Sequence, residues 1–256
     1  MTRDDEVFET LDRALRTARA ERRRTSDECS AFRAFYDRVA DLTTASAAET
    51  VTARQSVLAA GPTSGVAVDE VRTAYEETVM AVPHYDDEYG DGFAESFAAE
   101  FGDDVAAAFA GAQTVTGPLR GGVLAGSKEA LAERETFLDL VDRETESLSE
   151  LRDGTEEVVE TIRSADARPL SDRAVGELWG LQSMLDRQRE RVDALAADRQ
   201  RSIADQRVEL TRLDTDLQTY LYRDVPETYP GLAALASLGR VVEAADQRVE
   251  RALVGV

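Results

Sequence analysis

The sequence predicts an all-α protein: an elongated bundle of long coiled-coil-like helices with a glycine-rich cap of short helices. Apolar residues recur at three- and four-residue spacing over three long stretches, and no alternating strand pattern interrupts them. Glycine and proline concentrate between residues 61 and 126, which hold ten of the 16 glycines and three of the six prolines, so helices there must be short. The chain of 256 residues is 43% apolar, long enough to bury a core and too apolar to stay wholly disordered despite its charge. We read residues 1–256 as a single elongated helical domain, with 61–126 as a Gly-rich short-helix segment within it.

The first helix is expected over Asp4 to Ala59. Val7, Leu11, Ala14 and Ala18 set a seam that resumes at Phe32, Phe35, Val39 and Leu42, while Glu21, Thr25 and Glu28 occupy the same register between them. Within the glycine-rich segment, Val68 to Val82 reads as one helix and Asp91 to Phe101 as another, with Phe93, Phe97 and Phe101 four apart. Asp103 is a candidate cap for a third, Val105 to Ala112. The second long helix should run from Pro118 to about Ala165, capped by Thr116, since proline is tolerated in a first turn. Its seam of Phe137, Val141, Leu148, Leu151, Val158 and Ile162 is interrupted by Glu144 and Thr155.

Ser171 is the expected cap of the third long helix, which runs to about Tyr222 and would be roughly 75 Å long if continuous. Leu178, Leu185, Val192, Arg199, Gln206, Leu213 and Tyr220 fall seven apart, flanked by Ala196, Ile203, Leu210 and Leu217 in the companion positions, a heptad seam with a polar waist at Arg199 and Gln206. A last helix should follow the break Val225 to Pro230 and end near Leu253. Such seams cannot stay exposed. They close either within the chain or against a second chain, and the pattern does not choose.

Lys128 is the only lysine among 30 basic residues, set against 51 acidic ones for a formal net charge of −21. A surface so rich in carboxylate and guanidinium points to a solvent of concentrated salt, where a Debye length of about 3 Å screens self-repulsion. It also argues against nucleic-acid binding. The start MTRDDEVFETLDRAL has no basic segment followed by an apolar one, and no stretch is apolar enough to span a bilayer, so a cytoplasmic location without membrane insertion is expected. The single cysteine, Cys29, has no partner for an internal disulfide and reads as a buried thiol.

The candidate binding residues are His84, Tyr85, Asp87, Glu88, Tyr89 and Asp91. They gather the only histidine with carboxylates and two tyrosines in a turn that Pro83 opens. Imidazole with Asp87, Glu88 or Asp91 is chemistry suited to a divalent metal or a small ligand, although the spacing matches no standard metal motif. The same residues also serve a structural turn, with the tyrosines packing and the acids capping the next helix. A calcium loop fails, because Tyr89 and Ala98 would stand where oxygen ligands are needed. Gly121 to Lys128 approaches a phosphate loop, but its last two residues are reversed and no strand precedes it. Its glycines, with Gly117, instead suit close approach to a neighbouring helix. Arg22-Arg23-Arg24 sits among acids and reads as an ion-paired helix face. No nucleophile constellation is present, so no catalytic residue, cofactor or committed metal ligand is assigned.

The runs from Tyr75 to Gly90, containing VPHYDDEYG, from Ala98 to Gly102, and from Tyr220 to Pro230 together resemble an uncharacterised haloarchaeal family of helical proteins, a domain of unknown function. The resemblance spans most of the chain and implies no activity and no site residue. Six of the seven tyrosines lie in these runs, and we expect five of them, Tyr85, Tyr89, Tyr220, Tyr222 and Tyr229, to be neighbours in space. The reading is a non-enzymatic cytoplasmic interaction or scaffold protein whose partner is protein, self or other, bound through the helical seams. The alternative is a metal- or small-ligand-binding module centred on His84.

Overall fold

A computed structural model of the chain describes residues 3–53, 66–209 and 216–255. Among them the fold is all-α, with α1 (Arg3–Ala53), α2 (Val68–Glu76), α3 (Tyr85–Glu88), α4 (Phe93–Phe101), α5 (Asp103–Ala110), α6 (Gly117–Asp166), α7 (Val175–Glu209), α8 (Leu217–Leu221) and α9 (Pro230–Val254). The sequence pattern does not anticipate one antiparallel pair of two-residue strands, β1 (Val66–Ala67) and β2 (Thr114–Val115), which match Val66 to Val115 and Ala67 to Thr114.

The chain divides into two compact units, residues 1–21 with 140–256, and residues 22–139. The division falls inside α1 and inside α6. The glycine-rich segment 61–126 therefore belongs to a unit that also includes the later part of α1 and the first turns of α6.

In the unit of residues 22–139 the core is aromatic. Phe32, Phe35, Tyr75, Phe97 and Phe109 are buried, with Phe93 and Phe101 packed against them. The Tyr75 ring lies edge-on to Phe35 at 5.2 Å and to Phe97 at 5.4 Å, geometry that the ring quadrupoles favour. Its hydroxyl is satisfied by Ser96 Oγ at 2.9 Å. Gly126 permits the approach of α6 to α4, since a Cβ there would stand 2.6 Å from the Phe101 ring. Gly117 and Gly121 face open space and have no such role.

In the other unit the seams read from the sequence are buried. Val7, Leu11, Ala14 and Ala18 of α1, Val141, Leu148, Leu151, Val158 and Ile162 of α6, and Leu178, Leu185, Val192 and Ile203 of α7 are all covered. The buried face of α9 (Leu235, Leu238, Val242 and Val249) packs with α7. Gly154 of α6 lets Leu195 of α7 approach, and Gly231 of α9 leaves room for the Arg199 side chain.

Helix ends follow local chemistry, with four departures from expectation, of which one is that the helix expected over Val68 to Val82 stops at Glu76 before a separate 3-10 turn, Val79–Ala81. Thr116 Oγ1 accepts from the Leu119 amide as predicted, at 3.4 Å, and Pro230 opens α9. Ser171 does not cap α7: it sits in a short 3-10 turn, Leu170–Asp172, and the Glu177 carboxylate instead reaches back to the Ala174 amide at 2.8 Å. Asp103 begins α5 rather than capping it, after Gly102 at a φ of 80°. The third long helix does not keep its register to Tyr222. Asp216 accepts from the Gln218 amide and starts α8 anew, so Leu217 and Leu221 are buried and Tyr220 turns outward. Leu210 and Leu213, like Arg54 to Ala59 at the expected end of the first helix, lie outside the described residues.

Candidate functional site

The tract after Pro83 forms a buried polar centre in the unit of residues 22–139. Val79–Ala81 is a 3-10 turn and α3 a single helical turn, so the chain folds back and turns His84 and Tyr85 inward. Gly90, at a φ of 60°, ends the turn. His84 Nε2 lies 3.0 Å from Glu28 Oε1 of α1. The contact fits the tautomer that donates from Nε2, because a carboxylate only accepts. Tyr89 donates to the same oxygen at 3.1 Å, and Arg134 Nε donates to Glu28 Oε2 at 2.8 Å. Arg134 also clamps Glu100 through two nitrogens, at 2.5 and 3.2 Å, and lies over the Phe32 ring. Tyr85 donates to Asp91 Oδ1 at 2.5 Å, and Glu88 pairs with Arg24 at 2.6 Å.

Five of the six candidate residues therefore take part in this centre or at its rim. Asp87 is exposed and stands apart. Three side chains at the heart of it, Glu28, Glu100 and Arg134, are not among the candidates. Glu28 has a signal: it is a carboxylate in the apolar register of α1, and one oxygen each of Glu28, His84 and Glu88 (with nitrogen for the imidazole) lie within 4.8 Å of one another. A small cavity of about 60 Å³ adjoins the centre, lined by Tyr85, Tyr89, Asp91, Ser96, Glu100 and Arg134 among others.

Burial and neighbouring carboxylates shift Tyr85, Tyr89, Arg134 and Cys29. Desolvation, then the hydrogen bond to Asp91, pushes the Tyr85 hydroxyl up to about 12. Desolvation, then the Glu28 charge, raises Tyr89 well above the ordinary tyrosine value. Burial alone would lower Arg134, but Glu100 and Glu28 more than reverse it, so its cation is held firmly. The Cys29 thiol is raised by burial and then by Glu135, the opposite of an activated nucleophile.

A second buried centre lies in the other unit, where the polar interruptions of two seams meet. Glu144 of α6 and Arg199 of α7 are both essentially inaccessible and paired through two bonds, Nη2 to Oε1 at 2.6 Å and Nη1 to Oε2 at 2.9 Å. Tyr222 donates to Glu144 Oε1 at 2.7 Å, and Gln206 Nε2 to Oε2 at 3.2 Å. Gln218 Oε1 accepts from Arg199 at 3.0 Å. Burial raises the Glu144 carboxyl, and Arg199 with the Tyr222 and Gln206 hydrogen bonds overcomes it, leaving its pKa below the ordinary carboxylate range.

The five motif tyrosines divide between the two units. Each donates to its own carboxylate: Tyr85 to Asp91, Tyr89 to Glu28, Tyr220 to Glu21, Tyr222 to Glu144 and Tyr229 to Asp216. The phosphate-loop look-alike lies wholly inside α6, where no loop exists to cradle an anion, and the Lys128 ammonium sits 5.1 Å from the Tyr36 ring centroid. Arg24 of the arginine run is ion-paired to Glu88, as an acid-flanked basic run suggests. No helix among the described residues is long and apolar enough to cross a membrane.

Fold and site together define an all-α protein whose long helices are pinned by buried carboxylate–guanidinium centres. A family model described as a domain of unknown function, DUF7260, matches residues 9–246, and the chain belongs to that family. No curated protein and no solved structure matches the chain.

Proposed function

We propose that the protein is a non-enzymatic cytoplasmic interaction protein, and that its binding face is the start of α7 rather than its helical seams. The observation that carries this reading is Trp179, the only tryptophan, which is 59% exposed with Val175, 44% exposed, one turn before it. The described seams are filled from within the chain, which leaves these side chains as a large apolar group without an internal use.

The partner is a second copy of the chain. Gly176 and Gly180 flank Trp179, and a Cβ at either would meet nothing within 4 Å. Internal packing does not explain two glycines that each cost a helix roughly 1 kcal/mol. They leave the helix surface bare beside a bulky side chain, and a two-fold operation would place each Trp179 over the other copy's glycines.

The single tryptophan makes the test direct, because emission reports on this face alone. Concentrating the protein in molar KCl should shift emission to shorter wavelength as the mass doubles. Emission and mass that stay constant over the same range contradict self-association and leave a different protein as the occupant.

A further inference from the structure

The His84 centre carries an inference independent of the interaction face. We propose that Glu28, His84 and Glu88 form a binding site for one divalent transition-metal cation of the zinc class. The ligand atoms come from α1, the turn after Pro83 and α3, and lie within 4.8 Å of one another. The 3.0 Å between His84 Nε2 and Glu28 Oε1 is close to the ligand–ligand edge of about 3.4 Å in a tetrahedron with zinc bonds of about 2.1 Å. The cation takes the place of the hydrogen between Nε2 and Oε1, and the neutral imidazole then carries its one N–H on Nδ1.

What distinguishes this set from an ordinary acidic surface is its support. Each carboxylate has one oxygen fixed by an arginine: Glu28 Oε2 by Arg134, and Glu88 Oε1 by Arg24. Arg134 is in turn clamped by Glu100. Such outer partners hold ligand carboxylates in place. The burial is graded in the same sense, with side-chain exposures of 9% for His84, 15% for Glu28 and 26% for Glu88, so the cation enters past Glu88. The Tyr89 hydroxyl, already 3.1 Å from Glu28 Oε1, adds a neighbouring oxygen, and water completes the shell. Imidazole with two carboxylates suits zinc and cobalt better than calcium or magnesium. Asp87 and Asp91 are outside the set: the first is exposed and the second is held by Tyr85.

The test titrates the full chain, in molar KCl, with Co²⁺ as a spectroscopic stand-in and Zn²⁺ as competitor. One Co²⁺ per chain should bind with the visible absorption of a low-coordinate site and be displaced by Zn²⁺. His84→Ala should weaken binding at least 10-fold. Because His84 is buried and its loss can disturb folding, Glu88→Gln provides the second arm. It leaves the His84–Glu28 contact in place and should weaken binding by a similar factor, while Asp87→Asn leaves it unchanged. The absence of a one-to-one signal, native affinity in Glu88→Gln, or equal loss in Asp87→Asn, the mark of diffuse binding to an acidic surface, would each overturn the assignment. None of these outcomes bears on Trp179.

Discussion

Glu144 and Arg199 exemplify how a charged residue survives in a helical seam. Each alone would be a buried charge. Together they are bidentate, and Tyr222, Gln206 and Gln218 occupy further lone pairs and protons. Removing one member leaves the other buried without a countercharge, at a cost of about 3–5 kcal/mol. Glu144→Ala and Arg199→Ala should each lose stability on that scale in urea unfolding. The pair replacement Glu144→Leu with Arg199→Met should lose less than the sum of the two, because no charge is stranded. The folded-state pKa of Glu144 is depressed, so its contribution is fully present above the ordinary carboxylate value and disappears as pH falls through the lower folded value. The stability gap between the native chain and Glu144→Gln should therefore narrow on acidification. A gap constant with pH would show that the carboxylate is not ionised in the fold.

At the scale of elements, helix existence is legible in the sequence and helix meeting points are not. The seams of α1, α6 and α7 are readable because burial selects apolar side chains at a fixed period. The residues that break the period, Glu28, Glu144, Thr155, Arg199 and Gln206, are visible as interruptions. Their partners are not, since Glu144 and Arg199 are 55 positions apart and periodicity carries no information on pairing between helices. The end of α7 escapes the pattern for a related reason: Leu217 and Tyr220 fit the heptad, but Asp216 caps a new helix and shifts the buried face to Leu217 and Leu221. Composition locates the His84 site, from one histidine among acids, yet Glu28 and Arg134 reach it from helices distant in sequence. Glycine gives an element-level prediction. Gly126→Ala forces a Cβ against the Phe101 ring and should destabilise by about 1–3 kcal/mol. Gly121→Ala, in open space, should stabilise by about 0.5–1 kcal/mol through helix propensity. Thermal unfolding of the two variants should move in opposite directions.

For the whole molecule, a charge of −21 and a near absence of lysine describe the shell rather than a substrate. Many of its arginines are committed to carboxylates, as in Arg33–Glu135, Arg38–Glu77, Arg152–Asp12 and Arg248–Asp166, but the acidic surplus remains. Dilution from molar to millimolar KCl lengthens the Debye length more than about tenfold and exposes that surplus to itself. The melting temperature should fall accordingly, and an unchanged value would contradict adaptation to salt. The same screening would let two such acidic copies meet in the proposed dimer. The central claim is that the chain closes its seams on itself and keeps Trp179 for a second copy. Sedimentation equilibrium in molar KCl tests it most directly, comparing the native chain with Trp179→Ser. The account predicts a dimer that the substitution reduces to a monomer with an unchanged melting temperature. A native monomer at every concentration, or a variant as dimeric as the native chain, would contradict it.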